Sequence, residues 1–104
     1  MEIRFTHDRL EKFIHGLKKP TIAKILRTLD LLERFGHQLG MPHSKPIESN
    51  LFELRVRGDQ EVRLLYSFHN SRAIILHGFT KKTHKTPQKE IALARARKKS
   101  MDAT

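Results

Sequence analysis

"LFELRVRGDQEVRLLYSFHNSRAIILHGFT", residues 51–80, is the stretch that decides the fold. Apolar and polar residues alternate along three segments of it, and a period of two predicts β-strands with one buried face. Short turns at 58–59 and 69–71 separate the segments. Because strands joined by turns of this length run antiparallel, the stretch predicts a three-stranded antiparallel meander.

The polar faces of the first two predicted strands carry arginines. Arg55 and Arg57 lie beside Glu53 in the first strand, and Arg63 lies in the second. We expect this face to be basic and open, and to lead toward the loop that follows the third strand. The alternative is a cross-strand lattice of ion pairs between Glu53 and the first-strand arginines, which contributes little to stability.

Two helices are predicted before the meander, forming an antiparallel hairpin after a short strand at residues 1–6. The first has an apolar stripe at i, i+3, i+4 and i+7 that comprises Leu10, Phe13, Ile14 and Leu17. The second begins near Pro20 and ends at Gly36. Its buried stripe is expected to comprise Ile22, Ile25, Leu26, Leu29 and Leu32.

The segments that flank the meander differ in character. Residues 37–50 are rich in glycine and proline, which predicts a loop. After the meander, Thr86 is expected to cap a final helix, with Pro87 at its first position. Apart from alanines, that helix has only Ile91 and Leu93 as clear apolar residues, so we expect it to dock weakly.

Together these elements predict a single α+β domain spanning residues 1–104. A helical hairpin packs on one face of a small antiparallel sheet, a C-terminal helix follows, and the opposite face is basic. With 104 residues and no cysteine, the chain has room for one core and excludes disulfides, thiol chemistry and cysteine-ligated zinc. The charged N-terminus predicts neither a signal peptide nor a membrane span, and we expect a cytoplasmic protein.

The charge is strongly basic and unevenly distributed. The net charge is +10; residues 1–54 hold 9 Lys and Arg against 7 Asp and Glu, whereas residues 55–104 hold 12 against 4. Such asymmetry favours a polyanionic partner or an acidic protein. The alternative is a basic domain whose lysines are merely solvated.

The stretch "HGFTKKTHKTP", residues 77–87, concentrates this charge after the third strand. Lys81, Lys82 and Lys85 crowd one turn, and like charges lower the pKa of a lysine. His77 and His84 flank this turn, and either is a candidate acid or base; His84 is expected to be exposed, whereas the alternative for His77 is a partly buried structural residue. The spacing of these histidines, without nearby carboxylates, does not favour a metal site, and no cofactor is expected.

These motifs resemble the RelE superfamily of bacterial toxins, in its HigB-like, phage-derived branch. The resemblance covers about residues 20–99 and is sharpest at "ELR" (53–55), Arg63 and "HGFTKKTHKTP" followed by "EIALA". It implies a RelE-like fold and a toxin that cleaves mRNA in the ribosomal A site. It also implies a cognate antitoxin, usually of the helix-turn-helix type. The family's C-terminal tyrosine has no counterpart, and Val62 stands where an aromatic residue is common, so the general base is left open.

The resemblance implies part of the site, since Arg55 and Arg63 match the family's strand arginines and residues 81, 82 and 85 match its lysine-rich turn; the other candidates follow from the residues themselves. Metal-free attack by a ribose 2′-OH needs a proton acceptor, cations for the developing charge and an acid for the leaving oxygen. The candidate catalytic residues are Arg55, Arg63, Lys81, Lys82 and His84. The candidate RNA-binding residues are Arg57, Phe79, Lys85, Arg95, Lys98 and Lys99. Core packing for Phe79, and favourable placement of bases near a helix end for residues 95–99, are the structural alternatives.

Two other functions remain open at this point. A non-enzymatic nucleic-acid-binding module would use the same basic face, and the missing tyrosine favours it. Relatives of the ParE type share the fold but poison DNA gyrase. Strand arginines next to a lysine-rich turn favour RNA cleavage over gyrase poisoning.

Overall fold

A computed structural model describes residues 1–103, and its centre is one five-stranded sheet. The strand order is β1-β5-β4-β3-β2; β1 pairs parallel with β5, and the other neighbours pair antiparallel. In chain order the elements are β1 (Glu2–Phe5), α1 (Asp8–His15), α2 (Lys19–Phe35), a 3₁₀ turn (Gly36–Gln38), β2 (Ser44–Glu48), β3 (Leu51–Val56), β4 (Val62–His69), β5 (Arg72–Thr80) and α3 (Gln88–Asp102). The predicted α+β fold with its C-terminal helix is confirmed.

The helical hairpin packs on one face of the sheet, as predicted. Leu54 and Leu64 of the central strands are fully buried against Ile25 and Leu32 of α2 and Leu10 of α1. Burial of each such side chain contributes about 1.5–3 kcal/mol. In the described residues no helix is long and apolar enough to cross a membrane.

The buried stripe of α2 differs from the prediction at Leu26, whose side chain is 55% exposed. Thr21 and Thr28 are buried in the same stripe as Ile25 and Leu32. These four positions follow i, i+4, i+7 and i+11, whereas Leu26 is turned by one residue toward solvent. Leu26 was included in the predicted stripe because it is hydrophobic, but the position of a residue around the helix axis decides whether it contacts the sheet.

The opposite face of the sheet is covered by α3, so it is not the open basic face that we expected. Ile91 and Ala94 are buried against Leu65, Leu76 and neighbouring residues of this face. Small alanines let the helix backbone approach the sheet closely, so α3 buries these residues although its sequence has few large apolar side chains. Leu93 is 40% exposed and does not form the contact.

A further strand, β2, lies in the segment predicted as a loop. It pairs with β3 through Ser44↔Leu54 and Lys45↔Glu53, and its register shifts after Pro46. Proline is tolerated there because β2 is an edge strand with one unpaired side. The buried hydroxyls of Ser44 and Tyr66 also form a hydrogen bond. Burial raises the pKa of Tyr66, although the bond to Ser44 opposes it, so Tyr66 is a packed residue.

A β-bulge in β5 changes the face of the sheet on which its last residues lie. Leu65 pairs with His77 and Tyr66 pairs with Ile75, which leaves Leu76 as the extra residue. His77 and Phe79 therefore face α3 instead of sharing the face of Ile75. A prediction that assumes strict alternation along the strand cannot detect a bulge, because the bulge inserts one extra residue.

The same bulge turns Gly78 toward the hairpin, where space is tight. A Cβ atom at Gly78 would lie 2.8 Å from Cδ2 of Leu64 and 3.2 Å from the ring of Phe13. We expect Gly78→Ala to lower the free energy of unfolding by about 1–3 kcal/mol, because the buried neighbours have little room to move. Urea denaturation measures this change.

Gly40→Ala is the matched control, since no atom lies within 4 Å of a Cβ atom there. Equal unfolding free energies for the two variants would contradict the packing described for Gly78.

Candidate active site

A cleft of about 450 Å³ opens where β3, β4 and β5 end next to the lysine-rich turn. It brings together all five predicted catalytic residues and one predicted RNA-binding residue, Arg57. The residues that line it are Arg55, Arg57, Glu61, Arg63, Lys81, Lys82, Thr83 and His84. The charge concentration noted in the sequence is therefore also a concentration in space.

The sheet ladder sets the spacing of these side chains. Arg55 and Arg63 are direct partners across β3 and β4. The backbone N–H of Lys81 donates to the carbonyl of Glu61 over 2.6 Å, which extends the pairing of β4 and β5 beyond the strand end. Within the turn, the Thr83 hydroxyl donates to the carbonyl of Lys85 over 2.7 Å. Backbone contacts thus hold the start of the lysine turn beside the arginines.

Arg63 is buried and paired, in contrast to the open arginine that we expected. Its Nε lies 2.7 Å from Oε1 of Glu53, and the two side chains are only 2% and 6% exposed. A second nitrogen of its guanidinium lies 3.2 Å from Glu61, and a third donates to the carbonyl of Val62 over 3.0 Å. The predicted lattice of Glu53 with the first-strand arginines is replaced by this one buried pair.

Glu53 also connects the sheet to the lysine turn. Its other oxygen accepts a hydrogen bond of 3.0 Å from the hydroxyl of Thr86. The predicted helix cap at Thr86 is wrong, because α3 starts at Gln88 with Pro87 at the N-cap position. The hydroxyl that would have capped the helix instead satisfies a buried carboxylate.

Lys81 is the cation in the cleft whose protonation is most affected by its surroundings. Burial lowers the pKa of Lys81, and the charges of Arg63, Arg55 and Arg57 lower it further, whereas Glu53 opposes them. A lysine with a lowered pKa is a better proton acceptor near neutral pH.

Glu61 is a cleft residue that the sequence analysis missed. Burial works against ionisation of its carboxyl, but the N–H of Gly58 and the guanidinium of Arg63 lower its pKa. The N–H of Gly58 donates to this carboxylate over 3.2 Å. The sequence does contain a signal for Glu61, because it is an acidic residue two positions before Arg63 in a segment rich in basic residues.

The other predicted RNA-binding residues lie outside the cleft. Lys85 lines an adjoining depression that shares Lys81 and His84 with it. Arg95 forms a bidentate pair with Glu48 at 2.7 and 3.1 Å, and Lys98 donates to the carbonyl of Ser49. Arg95, Lys98 and the exposed Lys99 follow one another along α3.

Phe79 and His77 are structural residues on the α3 side of the sheet. Phe79 is 9% exposed, in accordance with the alternative of core packing, and its ring stacks on His77 with centroids 5.6 Å apart. His77 contacts Glu90 through Nε2 and accepts a hydrogen bond of 3.2 Å from Arg97 at Nδ1. Among the described residues, no group of three or more His, Asp or Glu could hold a metal ion.

The buried pair makes Arg63 a stability residue as well as a cleft residue. Arg63→Ala leaves the charge of Glu53 buried without its partner, so we expect the free energy of unfolding to fall by about 3–5 kcal/mol. Denaturation in urea checks this, with Arg57→Ala as the exposed control, expected within about 0.5 kcal/mol of the parent.

The double variant Glu53→Leu, Arg63→Met removes both charges and is expected to recover most of the loss. If Arg63→Ala has the same free energy of unfolding as the Arg57→Ala control, the ion pair does not contribute the expected stability.

Comparisons with known proteins agree with this architecture. The structure superimposes on a chain of the YoeB-YefM complex from Staphylococcus aureus with a TM-score of 0.57 and 20% identity, covering 81% of this chain and 98% of that chain. This likeness confirms the RelE-like fold. A search of curated proteins finds no match. The family model described as "Phage derived protein Gp49-like (DUF891)" matches residues 12–99, so the chain belongs to the phage-derived Gp49-like family.

Proposed function

We propose that the chain is the toxin of a type II toxin–antitoxin system, of the HigB-like branch, and that it cleaves mRNA on the ribosome. The observation that carries the proposal is the cleft of Arg55, Arg57, Lys81 and Lys82 around the ion-paired Arg63. Several positive charges close together favour binding of the negatively charged phosphodiester. The chain belongs to a phage-derived family, and it shares its fold with a chain of the YoeB-YefM complex. Both observations support the proposal.

Each group in the cleft has a role in attack by a 2′-OH. Lys81, with its lowered pKa, takes the 2′ proton. Arg55 and Lys82 stabilise the charge that develops on the phosphate oxygens. His84, exposed in the turn, donates a proton to the leaving 5′-oxygen.

Arg55 has an unsatisfied donor that a phosphate in the cleft would reach once the side chain turns outward. Its Nε is buried and has no hydrogen-bond partner among the described residues. An unsatisfied buried donor costs about 1–3 kcal/mol, and a phosphate oxygen is a strong acceptor for it. Arg63, which is already ion-paired with Glu53 and Glu61, acts through the field of its charge and through its hold on Glu53.

The partners follow from the proposed activity. They are the ribosome and its mRNA, and a cognate antitoxin, here proposed to be of the helix-turn-helix type. The net charge of +10 suits both an RNA surface and an acidic protein. The activity would take place in the cytoplasm, and the proposed chemistry uses only side chains, without a cofactor.

Binding without cleavage is the second candidate, and the engagement of Arg63 favours it. An arginine held by Glu53 and Glu61 is less free to follow charge as it develops on a phosphate. A gyrase-poisoning activity of the same fold remains an outcome to be tested by a supercoiling assay.

Mapping RNA 5′ ends separates these functions. The chain is added to a bacterial translation extract with a defined mRNA, with translation either running or blocked before initiation. We expect new 5′ ends in phase with codons only while translation runs. Growth arrest in cells without any new 5′ ends would contradict the nuclease and direct attention to binding or gyrase.

The role of Lys81 predicts a specific pH dependence. A base must be deprotonated, so we expect the cleavage rate on programmed ribosomes to rise with pH through the lowered pKa of Lys81. Lys81→Met should lower the rate by about 10²–10⁴-fold and remove this rise. Single-turnover rates between about pH 6.5 and 8.5 measure both effects.

Lys89→Met, in the exposed first turn of α3, controls for the loss of one positive charge. A Lys81→Met variant that keeps the rise in rate with pH would assign the proton acceptor to another group.

A further inference from the structure

A second recess of about 250 Å³ adjoins the cleft and shares two walls with it, Arg55 and Arg57. Its other lining residues include Pro42, His43 and Val56, which present ring and aliphatic surfaces. The recess is smaller than a pocket for a drug-sized ligand, which spans about 300–1,000 Å³. Its size and lining suit one flat, partly apolar group next to a phosphate.

The backbone fixes His43 beside the cleft. The carbonyl of His43 accepts a hydrogen bond of 2.8 Å from the N–H of Arg55, and its own N–H donates to Gly40 over 3.0 Å. The next residue, Ser44, is buried and begins β2. Substitution of the side chain alone leaves these contacts intact.

The imidazole of His43 is an unengaged polar side chain in the wall of the recess. Among the described residues it has no hydrogen bond, ion pair or ring contact, whereas the hydroxyl of Thr28 donates to the carbonyl of Lys24 over 2.8 Å. The ammonium of Lys24 donates to the carbonyl of Arg57 over 3.0 Å. The polar neighbours from α2 are thus occupied, and His43 is left with a free ring.

We propose that this recess binds an unpaired nucleobase of single-stranded RNA, next to the nucleotide whose phosphate occupies the cleft. Unpaired bases are recognised by stacking on planar side chains, histidine and arginine included, and by hydrogen bonds to their edges. Stacking on His43, with Pro42 as an apolar contact, would hold the base while Arg55 and Arg57 reach the phosphates on either side. The proposal rests on the proposed function in that RNA occupies the cleft.

Abasic scanning on programmed ribosomes tests the proposal. The probe is an mRNA with 2′-O-methyl riboses in and around the A-site codon, which prevents attack, and with one base removed at a time. We expect removal of one particular base to weaken binding of the parent protein roughly 5- to 100-fold, the range typical of one stacked base. The same removal should have no effect on His43→Ala, because the contact is already lost.

Two variants complete the design. His43→Phe keeps a planar ring and should retain most of the affinity, whereas His15→Ala, at the exposed end of α1, should behave as the parent in the whole scan. An identical abasic profile for the parent and His43→Ala would overturn the recess as a base site.

The scan also separates failure of the recess from failure of the proposed function. If the parent does not bind ribosomes, the ribosomal function fails, and the same scan on the free oligonucleotide decides the recess. If binding follows the expected profile but the unmodified mRNA is never cut, the recess stands and the nuclease does not.

Discussion

The buried ion pair between Arg63 and Glu53 is the constraint around which the site is built. Taking two charges out of water is costly, and the close contact between the two opposite charges offsets part of that cost. Glu53 receives Arg63 on one oxygen and the hydroxyl of Thr86 on the other, and Arg63 is also held by Glu61. The contact with Thr86 ties the lysine turn to the central strands, so the pair connects the core with the functional surface.

This arrangement divides the cations of the site into two groups. Arg63 is ion-paired with Glu53 and Glu61 and supports the cleft, whereas Arg55, Arg57 and Lys81 form no ion pair with a carboxylate among the described residues. Burial lowers the pKa of Lys81, and the charges of Arg63, Arg55 and Arg57 lower it further. A cleft with fixed positive charge beside a lysine of lowered pKa is preorganised for phosphodiester chemistry. The recess at His43 extends the same surface from the phosphate toward a base.

Much of the fold could be predicted because hydrophobic periodicity reports directly on burial. The meander, the helical hairpin and the gathering of bases at the strand ends follow from local pattern. The missed features depend on tertiary contacts: β2 exists only through pairing with β3, and the bulge at Leu76 breaks an alternation that looked continuous. The partner of Glu53 was missed for the same reason, since strand parity places Arg55, Arg57 and Arg63 on one face without saying which of them is buried with the acid.

The central claim is that Arg63 stays paired with Glu53 while the neighbouring cations hold the phosphate. Arginine side-chain NMR tests it directly, by following the Nε–H signals while a 3′-phosphorylated mononucleotide is added. The account predicts that the Arg63 signal is protected from exchange with water and barely moves, whereas the Arg55 signal shifts on addition. An Arg63 signal that exchanges as fast as that of the exposed Arg57, and shifts most with the nucleotide, would contradict the account.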